Sequence, residues 1–275
     1  ADPALSRGQE IFDVILNFLS YYWIYCINGF IEAVKTVEYD VTGLEKLKLD
    51  EWYIVVSNHQ TMIDIIVLQR IFHGRIPFLK YFMKQELIWV PILGLAWWAL
   101  DYPFMKRYSA ELLKRKPHLR GKDIEATRKA CAKFKDRPAS IMNFVEGTRF
   151  SHAKQASQKS PYRHLLKPRS GGVSYVLSMM GENMQNLIDV TIIYPDGVET
   201  AWQFFCSAKS RILVRIDVLP IAFDLRGQDP DDAEYRSRFN RWLNDLWERK
   251  DHTIARALER ASAQNAGRIA HPANL

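Results

Sequence analysis

A histidine and an aspartate five residues apart, in Asn58-His59-Gln60-Thr61-Met62-Ile63-Asp64, are the pair in this chain best suited to moving a proton. They follow one short apolar run. A second apolar run is followed by Glu146-Gly147-Thr148-Arg149, where a glycine, a hydroxyl and a guanidinium stand in succession. The glycine permits a tight turn and close backbone approach to a ligand. The guanidinium is a planar fork that matches a phosphate or carboxylate. A base beside an anion grip is what deprotonating the hydroxyl of a phosphorylated alcohol requires. Neither motif holds a serine or cysteine arranged as a nucleophile, so the expected chemistry is direct transfer onto an acceptor hydroxyl.

At about 100° per residue, helix positions five apart differ by about 140°. His59 and Asp64 therefore meet only if a helix begins at Thr61 and His59 lies in the turn before it. Asp64 would then accept the Nδ1 proton, leaving Nε2 as the base. Thr61 to Asp64 also has the spacing of a capping box, so Asp64 either caps the helix, orients His59, or does both. Glu146 is expected to hold Arg149 or the turn in place. Read alone, Glu146 to Arg149 serves equally well as a structural strand-to-helix turn. Its value lies in sharing the strand-end setting of His59, where open α/β sheets place their sites.

The elements that must position these motifs alternate. Short apolar runs at Trp52 to Val56, Phe78 to Met83, Ser140 to Val145, Leu187 to Tyr194 and Ile212 to Leu219 read as buried strands. Helical spacing fits Met62 to Phe72, Ala110 to Lys114 and Ile124 to Lys135. Pro91 and Gly94 break the stretch Leu87 to Leu100 into a kinked helix or loop. The order predicts an α/β fold, a mostly parallel central sheet flanked by helices. Ser151 to Arg169 is basic and polar and reads as a surface loop. From Asp231 to Ala263, Tyr235, Phe239, Trp242, Leu246, Ile254 and Leu258 recur at helical spacing, as a core-facing stripe would.

Residues 11–34 carry only Asp13 and Glu32 as charges. Tyr21, Tyr22, Trp23 and Tyr25 sit at the middle of the stretch, where a spanning helix would keep aliphatic residues. A helix, or a pair bent near Gly29, lying in a membrane surface is the expected state; a core helix is the alternative. This gives an N-terminal membrane-associating segment over 1–40 and a catalytic domain over 41–275. The chain opens on Ala1-Asp2-Pro3 without a methionine or a visible signal peptide, which leaves a further N-terminal membrane segment open.

With 48% hydrophobic and 25% charged residues the chain has the composition of a folded domain, which argues against disorder. A net charge of +7 favours anionic partners such as phospholipid, phosphorylated co-substrates or an acidic carrier protein. Nucleic acid is not expected, since the basic residues are interleaved with Trp, Phe and Leu and form no binding motif. The isolated Cys26, Cys131 and Cys206 argue against a disulfide framework and point to a reducing compartment. No spacing of His, Asp or Glu suggests a metal, and none is expected.

Together these motifs resemble the PlsC-type glycerolipid acyltransferase family. Asn58, His59 and Asp64 match its N-H-x4-D motif, and Glu146 to Arg149 match E-G-T-R. Asp101 to Arg107 stand where its second motif belongs, with different wording, and Val190 to Pro195 correspond to a hydrophobic strand ending in proline. The stretches KQELIWVPILGLAWWALDYPFMKR and HLLKPRSGG resemble a subgroup with YihG-like bacterial and lysocardiolipin-type eukaryotic members.

The resemblance implies transfer of a fatty acyl chain from acyl-CoA or acyl carrier protein to a lysophospholipid, 1-acylglycerol-3-phosphate foremost, at the cytoplasmic face of a bacterial inner membrane. It implies that Lys106, Arg107 and Arg149, with Thr148, Gly147 and Glu146, bind the acceptor phosphate. The acyl donor is a co-substrate and no cofactor is implied. Trp89 to Leu100 either line an acyl groove or pack in the core. Lys154, Lys159, Arg163, Lys167 and Arg169 are candidates for the donor's phosphates. Backbone N–H groups near Thr61 are candidates for the oxyanion. A hydrolase using the same dyad, an acyltransferase for another headgroup and an idle membrane scaffold are the competing readings.

Overall fold

The computed structural model describes residues 3–91, 93–100, 102, 104–105, 115, 131–132, 134–135, 137–198, 200–207 and 209–270. Its strands are β1 (Thr36–Thr42), β2 (Tyr53–Ser57), β3 (Leu79–Tyr81), β4 (Met83–Lys84), β5 (Phe104–Met105), β6 (Ser140–Phe144), β7 (Asn186–Ile193) and β8 (Lys209–Pro220). Six of them form one sheet in the order β1-β8-β7-β2-β6-β3, while β4 pairs with β5 outside it. Every ladder of the main sheet is parallel except β7 to β8. The expected α/β architecture is the observed one.

The strand β2 lies inside the sheet, and all five of its residues are buried. Tyr53 and Val55 face one apolar layer with Val67, Leu68 and Ile71 of α2 (Ile63–Phe72), and with Ile31 of α1 (Pro3–Val34). Ile54 and Val56 face the other layer with Val173, Val176 and Leu177 of α5 (Gly171–Met180), and with the long α7 (Ala233–Ala270). A strand covered on both faces must be apolar throughout, which is why β2 reads as a run without alternation.

The helix after β2 thus covers one face, and α5, which comes later in the chain between β6 and β7, covers the other. Adjacent parallel strands whose connections diverge leave a crevice at their carboxyl ends. The register fixes its position: Ser57 is opposite Phe144, so His59 and Glu146, each two residues on, leave the sheet at the same level.

Several expectations change in detail. The helix α1 runs unbroken through Gly29, so there is no pair of helices bent there. Residues 151–169 are not wholly a loop: Ser151 caps a short helix, α4 (His152–Gln158), by accepting from the Lys154 N–H. The stretch over 87–100 divides at Pro91, with a 3-10 turn (Gln85–Trp89) before it and α3 (Leu93–Ala99) after it. A short helix α6 (Ala201–Cys206) precedes β8. The helices expected over 110–114 and most of 124–135 lie outside the described residues.

β1 and α5 are among the elements that had no counterpart in the expected ones. In β1 the burial alternates strictly, exposed then half-buried, as at a sheet edge; its charged alternate residues hide the strand from a search for apolar runs. The first turn of α5 is Gly171-Gly172.

Candidate active site

Asp64 stands in the first turn of α2 and is fully buried. Its Oδ2 accepts from the backbone N–H of Gln60 at 2.6 Å and of Thr61 at 3.0 Å. The same oxygen lies 2.8 Å from His59 Nδ1. An oxygen already accepting two amide protons acts as acceptor here too, so Nδ1 is the donor and the basic lone pair is on Nε2. Tyr194, just past β7, donates to Oδ1 at 2.6 Å. Asp64 therefore caps the turn and orients His59 together, because the helix begins at Ile63 and His59 precedes it. The N–H groups of Gln60 and Thr61 serve this carboxylate, which removes them as oxyanion donors.

The histidine ring is gripped on a second side. Phe144, the last residue of β6, stacks on it with centroids 3.9 Å apart and planes 15° apart. Its backbone is tied as well: His59 O accepts from the Phe150 N–H at 2.7 Å, and His59 N–H donates to Glu146 Oε1 at 3.3 Å. Just upstream, the Asn58 amide imitates a peptide unit. Its Oδ1 accepts from the Ile192 N–H at 2.9 Å and its Nδ2 donates to Ile192 O at 2.8 Å, extending the β2–β7 ladder beyond Ser57.

Glu146 does not hold Arg149. It is fully buried, and its second oxygen accepts from the Leu166 N–H at 3.2 Å. Loss of hydration pushes its carboxyl up to about 8, against the two backbone N–H groups that favour the charged form. Grouped with the substrate-binding residues from sequence, it is placed instead as a tie between three loops.

Gly147, Thr148 and Arg149 do reach the cleft. Together with His59, Tyr81, Phe82, Met142, Asn143 and Phe144 they line a space of about 230 Å³. Gly147 has φ +70°, a left-handed conformation that favours glycine, and a Cβ there would lie 3.3 Å from Arg169 Cδ. Lys154 Nζ donates to Thr148 Oγ1 and to Arg149 O, each at 2.8 Å. Arg149, Arg169 and Lys154 thus gather around one turn, beside a base. None of Lys154, Lys159, Arg163, Lys167 and Arg169 is among the residues lining the cleft, although Lys154 and Arg169 border its turn from outside. Lys106 and Arg107 lie outside the described residues. Asn143, held close to Gly172 at the start of α5, and the ring of Phe144 line the cleft without having been singled out from sequence.

The site thus offers an imidazole base, an oriented carboxylate behind it, and a cationic turn within one cleft. Among the described residues no group of three His, Cys, Asp or Glu could hold a metal ion.

Residues 38–196 match the model of the acyltransferase family, and this span includes both motifs and the strands that carry them. The chain belongs to the acyltransferase family. It is 28% identical over 239 residues to "1-acyl-sn-glycerol-3-phosphate acyltransferase 2" of Arabidopsis thaliana, covering 79% of this chain and 56% of that protein. It is 26% identical over 244 residues to "2-acyl-1-lysophosphatidylinositol acyltransferase" of Saccharomyces cerevisiae, covering 74% and 60%. The chain therefore spans little more than half the length of these relatives. The crystal structure of the 1-acyl-sn-glycerophosphate acyltransferase PlsC from Thermotoga maritima aligns with a TM-score of 0.49 at 16% identity, over 96% of this chain and 84% of that one. Within the family span, the dyad sits at the end of β2 and the cationic turn at the end of its parallel neighbour β6.

Proposed function

We propose that this protein transfers a fatty acyl chain from acyl-CoA or acyl carrier protein to the free hydroxyl of a lysophospholipid, with 1-acylglycerol-3-phosphate giving phosphatidic acid. The observation that carries this reading is that His59, backed by Asp64, opens on the same cleft as Gly147, Thr148 and Arg149. His59 Nε2 takes the acceptor's hydroxyl proton as the oxygen attacks the thioester carbonyl. The tetrahedral intermediate collapses, the C–S bond breaks, and the thiolate recovers the proton from the imidazolium. Arg149, with Thr148 and Gly147, holds the acceptor phosphate; the family resemblance adds Lys106 and Arg107. No cofactor enters this scheme.

Membrane association is part of the proposal. Among the described residues no helix is long and apolar enough to cross a membrane. Yet Phe18, Tyr22, Trp23, Tyr25 and Phe30 of α1 are exposed, and Phe205 of α6 lies 6.4 Å from Phe30, beside the exposed Trp202. Exposed aromatics on a helix suit the headgroup region, where an apolar body and a polar tip are both satisfied. In this reading the surface rests on the cytoplasmic leaflet, on the side of the acyl donors.

The test is an assay of wild type and His59→Ala with a labelled acyl thioester and a panel of lysophospholipids. Wild type should acylate 1-acylglycerol-3-phosphate, and the variant should lose about 10²–10⁴ of the rate, the usual worth of a general base. Free fatty acid released without an acceptor, or full activity in the variant, would overturn the reading.

A further inference from the structure

Four arginines converge on a cleft that has no part in the site above. Arg211 and Arg215 stand four residues apart on β8, so both project from the same face of the strand. Arg256 and Arg260 stand four apart on α7, on one side of that helix. Strand and helix enclose a space of about 330 Å³, with Leu213, Ala257 and Ala261 in its walls. It shares no lining residue with the His59 cleft, and β7 separates β8 from β2 in the sheet.

The charges there do not cancel. Arg215 forks onto Asp40 at 2.9 and 2.8 Å, and Arg211 reaches Asp196 at 3.1 Å. Asp40 is the one carboxylate among the residues lining the cleft, against four guanidiniums. Among the described residues Arg256 and Arg260 have no ion pair. The Nε–H of Arg211 is buried and has no acceptor among the described residues. Buried donors without acceptors are rare in folded proteins, and this one belongs to a side chain that lines the cleft. The apolar part of the wall strengthens any charge pairing inside it.

We propose that this cleft binds a ligand carrying two phosphoryl groups, either a soluble diphosphate or a bisphosphorylated lipid headgroup. Each guanidinium fork matches the geometry of phosphate oxygens. Arg215 is held on Asp40, so the helix pair Arg256 and Arg260 meets one phosphoryl group and the Nε–H that Arg211 keeps without an acceptor meets the second. The volume is that of a small-ligand pocket. The proposal does not depend on the acyl-transfer reading.

The experiment compares the full chain with its Arg256→Gln/Arg260→Gln variant, both carrying Arg149→Gln so that the turn in the other cleft does not contribute. Calorimetric titration with inorganic pyrophosphate tests the soluble source. Flotation with phosphatidylcholine vesicles, with and without phosphatidylinositol bisphosphate, tests the headgroup. Loss of about tenfold or more in pyrophosphate affinity on removing the two arginines supports a soluble ligand. Loss confined to capture by bisphosphate-containing vesicles supports a headgroup. Both side chains reach solvent, so the variant should keep the wild-type thermal transition, which is measured alongside. Arg256→Lys/Arg260→Lys, which keeps the charge without the fork, should fall between the two. If neither binding depends on these arginines, the proposal fails.

Discussion

The Tyr194 hydroxyl donates to Asp64 Oδ1 at 2.6 Å, on the oxygen that does not face His59. A residue 130 positions away in the chain thus completes the shell of the carboxylate that orients the base. All the donors around Asp64 hold it as an acceptor, which keeps the proton of the pair on His59 Nδ1.

Replacing Asp64 with Asn should lower kcat about 10²–10⁴-fold, because an amide presents a mixture of donor and acceptor to Nδ1. Tyr194→Phe leaves Oδ1 buried with one donor fewer and should cost about 1–3 kcal/mol of stability. Its kcat should fall far less than that of Asp64→Asn. Steady-state kinetics and chemical denaturation of the two variants check both expectations; equal losses of kcat would show that Tyr194 does more than support the carboxylate.

Phe144 holds the imidazole by stacking at 3.9 Å. In Phe144→Ala the ring of His59 gains freedom to turn, and kcat should drop about tenfold with little change in KM for the acceptor. Phe144→Tyr, which keeps the stack, should retain most of the rate.

Glu146 gives a pH signature in stability. Burial raises its folded pKa from 4.5 to about 8. Between those values the folded state holds a proton that the unfolded state has lost, so stability from this group is fully present below pH 4.5 and declines as pH rises towards about 8. Glu146→Gln removes the titration, and the difference in unfolding free energy between the two proteins should vary across that window and level off above it. A pH-independent difference would mean that Glu146 is not protonated in the fold.

At Gly147, φ +70° and the nearby Arg169 side chain both resist a Cβ. Gly147→Ala should strain the turn by about 1–2 kcal/mol, the ordinary cost of a left-handed conformation for an L side chain. The displaced Arg149 should raise KM for the phosphorylated acceptor more than it lowers kcat. Titrating the acceptor at saturating donor separates the two.

Lys250, from α7, is fully buried 2.6 Å from Asp189 and also donates to Val190 O and Thr191 Oγ1. Loss of hydration drives Lys250 down and Asp189 up, while their mutual attraction opposes both shifts. Lys250→Met strands a buried carboxyl and should cost about 3–5 kcal/mol; Lys250→Met/Asp189→Leu should recover much of that. Denaturant melts of the two variants decide it.

Much of the site was legible in the sequence because its information is local. His59 and Asp64 are five residues apart, and helix geometry alone requires the turn between them. The apolar runs of β2, β6 and β7 are legible for the same reason: strands covered on both faces can be little else. The stripe from Tyr235 to Leu258 is likewise written in one helix. Glu146, Tyr194 and Asn58 are different. Their partners are 87, 130 and 134 positions away, and periodicity reports that a residue is buried without saying what it is buried against. Parallel pairing of β2 with β6 and β7 sets those neighbours. Local sequence thus decided which groups can do chemistry and on which elements they stand. Only the register of the sheet decided that Glu146 turns inward, that Phe144 and Tyr194 close around the dyad, and that the arginines of β8 and α7 face one another, because each depends on which strand ends are brought level.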